Sequence, residues 1–145
     1  MGKRPPHVTA AELRILKVLW KSAEGMTVRD VKAELDAQDD EPSAYTTVMT
    51  LMNQLAQKGG LSVDRSRQPF VYRPAVRREQ VIGDRIRQFI HQVFDGQAGE
   101  LVLRLVEEAE LSTDDLKRIE QQIEQRERED AARGGKRGSG GGKER

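Results

Sequence analysis

At Gly59-Gly60 the spacing of apolar residues changes from helical to alternating, and few folds accommodate what stands on either side of that change. Ahead of it are three helical periods. Thr9 is placed to cap the first, with Glu12 three residues on as the second half of a capping box. Leu13, Leu16, Leu19 and Trp20 recur at helical spacing, and Ile15 and Val18 widen the stripe. Ser22-Ala23-Glu24-Gly25 breaks the period. Thr27 caps a second, shorter helix, with Asp30 at N3 and Val31 and Leu35 facing inward. The acidic stretch Asp36–Glu41 and Pro42 reads as a connection, and Ser43 as the cap of a third helix that runs to Lys58. Beyond the glycines, Leu61–Arg65 alternates apolar and polar residues, Ser66–Pro69 is turn-like, and Phe70–Arg73 is a second strand that Pro74 ends. Three helices followed by a short hairpin is the order of a winged helix-turn-helix, here over residues 8–75. In that arrangement the third helix enters the major groove and the hairpin tip reaches the backbone or minor groove.

The third helix, 43–58, has two unlike faces. At roughly 100° per residue, Ala44, Val48, Leu51, Met52 and Leu55 share one side. Thr46, Thr50, Asn53 and Gln57 lie opposite, with Thr47 and Met49 flanking them. No acid stands between Ser43 and Lys58, where phosphate would repel one. Threonine can donate to phosphates and touch thymine methyls, and Asn and Gln can pair with adenine through two bonds. The bland counterpart is an ordinary amphipathic helix with a neutral outer face. Basic residues tip the balance: Arg65 and Arg67 in the wing 61–74, with Arg73 behind them, and Arg29 near the start of the second helix. Any one of these arginines alone would be an ordinary solvated charge; the cluster suits a polyanion. The expected DNA-reading set is therefore Thr46, Thr47, Met49, Thr50, Asn53, Arg29, Arg65 and Arg67. The alternative is a winged-helix protein–protein adaptor without sequence-specific DNA binding.

Composition shapes the rest. In a chain of 145 residues, 34% are charged, 36% apolar and only 4% aromatic, which is too polar for one large core. Small helical units sharing apolar seams fit better, so the expected class is mainly α with a small β-hairpin wing. Charge is unevenly placed: residues 1–75 carry 11 Lys/Arg against 9 Asp/Glu, residues 76–126 carry 8 against 11, and residues 127–145 carry 6 against 4. A basic front and an acidic middle suggest one surface for a polyanion and another for a protein. Residues 76–126 contain further helical stripes: Ile82, Ile86, Phe89, Ile90, Val93 and Phe94, then Leu101 and Leu105, then Leu116 and Ile119 on a helix capped by Ser112. Too apolar to face water and too thin to form a core, they are expected to build a helical dimerisation segment. Folding back onto the winged module is the competing arrangement. A flexible basic arm over 1–7 and a disordered Gly-rich tail over 127–145 complete the expected plan.

Several function classes drop out. The chain has no cysteine, which removes disulfides, thiolate chemistry and Cys-based metal centres. Neither His7 nor His91 has an evident catalytic partner, and the pairs Asp39/Asp40 and Asp114/Asp115 suit solvated loops and helix starts better than a metal. Gly59-Gly60 lacks the Lys-Ser/Thr of a phosphate-cradling loop. No apolar run approaches the ~18 residues of a membrane span, and no signal-peptide core stands at the N-terminus, so a cytoplasmic location is the default expectation. No enzyme activity, cofactor, metal or membrane insertion is expected.

With these residues laid out, the chain resembles the penicillinase and methicillin-resistance repressor family, the BlaI/MecI type. The matching stretches are Ala11–Trp20, Thr27–Val31, Ala44–Leu51, Lys58-Gly59, Phe70–Pro74 and Leu111-Ser112. The most specific are Ala44-Tyr45-Thr46-Thr47-Val48 and the Tyr72-Arg73-Pro74 exit from the wing. The resemblance spans about residues 7–126. It implies a homodimeric winged-helix repressor that binds a palindromic double-stranded DNA operator and pairs through its C-terminal helices. By position in the motif, Thr46, Thr47 and Met49 would lie nearest the bases. In better-known members a membrane-bound sensor metalloprotease triggers cleavage of an Asn-Phe bond in the dimerisation region. The corresponding place here is Arg104-Leu105, a departure from that pattern, as is the Gly-rich tail. Related copper-responsive repressors carry a C-terminal cysteine cluster, which this chain lacks.

Overall fold

The computed structural model describes residues 5–138, and the side chains of residues 5–134. In chain order the elements are α1 (Ala10–Trp20), α2 (Val28–Gln38), α3 (Tyr45–Gln57), β1 (Leu61–Asp64), β2 (Val71–Pro74), α4 (Arg78–Phe94), α5 (Ala98–Glu107) and α6 (Thr113–Gly138). The chain divides after Gly96 into two units, the first holding α1 to α4 with the hairpin and the second holding α5 and α6.

The first unit is built on one apolar cluster. Ile15, Leu16 and Leu19 of α1, Val31 of α2, and Met52 and Leu55 of α3 are fully buried, with Leu61 and Tyr72 of the strands closing one side. Local signals hold the helices in register with that cluster. Thr9 with Glu12 and Thr27 with Asp30 form reciprocal capping boxes, each satisfying otherwise unpaired N–H groups of the first turn. The strands pair antiparallel, Leu61 opposite Pro74 and Asp64 opposite Val71.

Several boundaries differ from the sequence expectation. Ser43 does not cap α3. The helix starts at Tyr45 behind Ala44, with no side-chain cap, and the Ser43 N–H donates to Asp36 Oδ1 at 3.2 Å. Asp36 is itself inside α2, tied to Lys32 one turn back at 2.5 Å, so α2 extends through part of the expected connection. Arg14 of α1 pairs with Asp39 just beyond α2. The expected arm is anchored over its described part: the His7 carbonyl accepts from Lys58 Nζ at 3.1 Å, and Val8 is buried. Residues 1–4 of that arm lie outside the described residues.

The largest differences concern the helices after the wing. α4 belongs with the winged module rather than beyond a boundary at 75/76. Val81 is buried in the first unit's core, Arg85 donates to the Val8 carbonyl at 2.6 Å, and Trp20 Nε1 donates to the Val76 carbonyl at 3.1 Å. α4 ends at Asp95, in the left-handed conformation, followed by Gly96. α6 starts with Ser112 and Asp115 bonded reciprocally and continues to Gly138, through residues expected to be disordered. Glu127–Arg133 is rich in good helix formers, and Gln125 bonds Glu129 one turn on, so helical structure persists without an apolar face. The part of the expected tail over 139–145 lies outside the described residues.

One ion pair joins three segments of the first unit. Glu12 is buried, and its Oε1 accepts from the Thr9 N–H at 2.9 Å and from Lys58 Nζ at 2.7 Å. Burial pushes the Glu12 carboxyl up, but the Lys58 ammonium and the Thr9 donors outweigh it and hold the group below the usual carboxylate range. The folded-state pKa is thus depressed: the stabilisation is complete above the unfolded value and lost as pH falls through the folded one. Lys58→Met leaves the carboxylate buried and unpaired. Because the lysine side chain is itself 34% exposed, the cost is expected to be about 1–3 kcal/mol at neutral pH. Urea unfolding measured across the acidic range should show parent and variant converging as Glu12 protonates; a gap independent of pH would contradict the assignment.

Candidate nucleic-acid interface

The apolar side of α3 decides what its other side can do. Val48, Met52 and Leu55 are buried and Leu51 is half-buried. Thr46, Thr47, Met49, Thr50 and Asn53 are all exposed, so every residue expected to read DNA from this helix reaches the surface. The N-terminus of α3 is chemically distinct as well. α1, α2 and α6 begin with a side-chain cap and an acid three residues later, whereas α3 has neither a cap nor an acid in its first turn. Its first N–H groups and its partial positive charge are left open to an anion.

Exposed residues on α3 line two grooves. Arg29, Met49 and Asn53 meet Tyr45, Phe70 and Tyr72 around a groove of about 650 Å³ between the starts of α2 and α3 and the hairpin loop, with Thr27, Asp30 and Gln68 at its edges. Thr46, Thr47 and Thr50 line a shallower depression with Leu51 and Gln54. Arg65 and Arg67 line neither; they stand on the hairpin loop, both exposed. The two arginines differ. The Arg65 guanidinium lies over the Phe70 ring, 5.8 Å from its centroid, while Arg67 Nε is 3.7 Å from Asp64. The Asp64 carboxyl is held below its usual range, chiefly by the Ser66 hydroxyl and N–H and further by Arg67 and Arg73. Asp64 therefore stays charged and offsets part of the Arg67 charge.

Tyr45, Gln54, Phe70 and Tyr72 were not among the expected DNA-reading residues, although Tyr45, Phe70 and Tyr72 stand in the stretches that carry the family resemblance. Tyr45 stands four residues before Met49 and eight before Asn53, inside the expected helix 43–58, so helical spacing alone could have found it. Tyr72 carries no such signal. It is buried, and its hydroxyl donates to Asn53 Oδ1 at 3.0 Å, joining β2 to α3. Burial pushes the hydroxyl above the usual phenol range, with Arg65 pulling the other way, so it remains a donor at neutral pH.

A pairing invisible in the pattern fixes the hairpin. Met26 and Tyr72 exchange backbone hydrogen bonds, Met26 N–H to the Tyr72 carbonyl at 3.0 Å and Tyr72 N–H to the Met26 carbonyl at 2.8 Å. Gly25 makes this approach possible: its φ is +86°, and a Cβ there would sit 2.8 Å from Arg73 Cγ and 2.9 Å from the Tyr72 carbonyl oxygen.

The sequence profile of the penicillinase repressor family matches residues 8–125. The chain belongs to that family. A penicillinase repressor from Bacillus licheniformis is 26% identical over 123 residues, covering 85% of this chain and 94% of the relative. The methicillin resistance regulatory protein MecI of Staphylococcus aureus (strain N315) is 24% identical over 119 residues, covering 82% and 94%. Among solved structures, the solution structure of the DNA-binding domain of the repressor BlaI is 29% identical with a TM-score of 0.46, covering 55% of this chain and 93% of that one. That of the Bacillus licheniformis BlaI monomeric form with the blaP half-operator is 28% identical with a TM-score of 0.44, covering 52% and 89%. The family match stops at 125, so the last turns of α6 lie beyond it.

The residues expected to pair subunits are placed unit by unit. On α4, Ile86, Phe89 and Val93 are about half exposed, with Ile82, Ile90 and Phe94 less so. In the second unit Leu101, Leu105 and Ile119 are half-buried and Leu116 is exposed; Leu103, at 63% exposure, was not among those named from sequence. The Arg104-Leu105 bond lies inside α5 rather than in a loop. Among the described residues no helix is long and apolar enough to cross a membrane, and no group of three or more metal-ligating side chains comes together.

Replacing Gly25 with Ala should disturb the hairpin more than the helices. A loss of more than about 1 kcal/mol is expected, with faster amide exchange at Met26 and Tyr72 than at Leu16 or Leu55. Equal acceleration at all four would mean the Met26–Tyr72 pairing has no local role.

Proposed function

We propose that this protein is a transcriptional repressor that binds double-stranded DNA as a homodimer, with α3 in the major groove and the hairpin loop on the flanking backbone. The observation that carries this is the exposed, uncapped, acid-free side of α3, in a chain of a repressor family. Thr46, Thr47, Met49 and Thr50 offer hydroxyls and methyls to base edges, and Asn53 offers an amide. Arg29, Arg65 and Arg67 neutralise phosphates and set register without reading sequence. The names of the relatives, a penicillinase repressor and a methicillin resistance regulator, support repression as the outcome.

Dimerisation is the economical use of the exposed apolar residues. A single α3 without an outward arginine has modest discrimination, and two copies on two-fold-related half-sites multiply it. Ile86, Phe89 and Val93 supply apolar surface on α4, and Leu101, Leu105, Leu116 and Ile119 supply it separately on the second unit. Release through a membrane-bound sensor metalloprotease would require α5 to unwind before the Arg104-Leu105 bond could be cut, which makes a bond in a neighbouring loop a better substrate.

Two measurements test the proposal. Arg65→Ala and Arg67→Ala should weaken binding to operator and mixed-sequence DNA alike and flatten the salt dependence by roughly one unit per lost phosphate contact. Arg65 should matter more, because Asp64 already faces Arg67. No salt-dependent binding by the parent chain would leave the adaptor alternative. Charge placed in the apolar surface, Phe89→Asp with Val93→Asp, should halve the mass seen in sedimentation and reduce operator affinity more than mixed-sequence affinity.

A further inference from the structure

Asn53 is not a free amide. A free asparagine distinguishes adenine by presenting both arms to the base, its oxygen accepting from N6 and its NH2 donating to N7. Here Oδ1 takes the Tyr72 hydroxyl hydrogen at 3.0 Å. Tyr72 cannot easily yield: it is 4% exposed, and its backbone is held on both sides by Met26. The amide is planar, so drawing its oxygen arm toward the groove wall leaves the NH2 arm as the outward one.

We propose that Tyr72 is a specificity-setting positioning residue: by bonding Asn53 Oδ1 it holds that oxygen at the groove wall and turns the NH2 arm toward the base, an orientation matched to the acceptors of guanine, O6 and N7, rather than to the acceptor and donor of adenine. An adenine in the same place would set its N6 amino group against the amide NH2, donor facing donor. The inference rests on the DNA-binding reading above and names the base edge that one of its residues takes.

The test is selection from a randomised duplex library with the full chain. The parent is expected to favour guanine over adenine at one base pair of each half-site by about tenfold. Tyr72→Phe frees the oxygen arm, so preference at that pair should move to adenine, while other positions and mixed-sequence affinity stay as in the parent. Asn53→Ala should abolish discrimination at that pair whether Tyr or Phe stands at 72. Asn53→Asp, which keeps an oxygen for Tyr72, should move the preference to cytosine, whose N4 amino group donates to the other carboxylate oxygen. This last variant leaves the buried tyrosine untouched and decides the matter if Tyr72→Phe does not fold. An unchanged selected sequence in Tyr72→Phe, or in Asn53→Asp, overturns the proposal. A uniform loss at every position would reduce Tyr72 to a structural role and also overturn it. A parent chain that selects no sequence fails differently, because it removes the DNA-binding reading itself.

Discussion

Packing Val48, Met52 and Leu55 into the cluster formed by α1 and α2 commits the opposite side of α3 to the outside. An α-helix cannot bury one stripe without presenting another. What α3 can offer another molecule follows from which residues were placed on that second stripe. Lysines and glutamates would have made a solvated surface. Threonines, a methionine and an asparagine make one that can lose water against another molecule at low desolvation cost, because none carries a charge. The exposed arginines stand elsewhere, Arg65 and Arg67 on the hairpin loop and Arg29 at the start of α2, so that on the proposed reading charge does not stand between the helix and the bases.

That separation works only if the hairpin is fixed relative to α3. Two short strands alone are marginal in water. Here the hairpin is held by Tyr72 to Met26 through backbone bonds, by Tyr72 to Asn53 through a side chain, and by Leu61 and Tyr72 to the apolar cluster. One residue thus serves in three contacts, which is why the close approach permitted by Gly25 matters beyond its own turn. The Glu12–Lys58 pair does comparable work at the other end of α3, tying the helix C-terminus to the start of α1 and to the segment before it.

What the sequence disclosed divides along physical lines. Capping at Thr9, Thr27 and Ser112, the stop at Gly59 and the two faces of α3 depend on neighbours within a turn, and these were legible from spacing alone. At the start of α3 the cap position falls on Ala44 rather than Ser43, whose N–H bonds Asp36 seven residues earlier, and nothing in the local pattern announces a partner that far away. The Met26–Tyr72 pairing is a single bridge, too short to leave a period. The persistence of α6 past Glu127 was missed because periodicity reports apolar faces, and a helix held by propensity and by pairs such as Gln125 with Glu129 has none. On the candidate site, the outward residues of α3 were legible and the engagement of Asn53 was not, since it depends on where β2 returns.

The same reasoning changes what α4 is for. A stripe of apolar residues over 81–94 suggested one element with one task, but burial splits it. Its start is part of the winged core, through Val81 and the Arg85 bond to the Val8 carbonyl, whereas Ile86, Phe89 and Val93 remain exposed. The start of α4 is thus joined through Val81 to the cluster on which α3 also packs, and its open surface lies further along the same helix. If two copies pair through that surface, the separation and angle of their two α3 helices are set by packing inside the first unit, not by a linker. On the proposed dimer, selectivity for half-site spacing would then draw on the packing of the winged module itself.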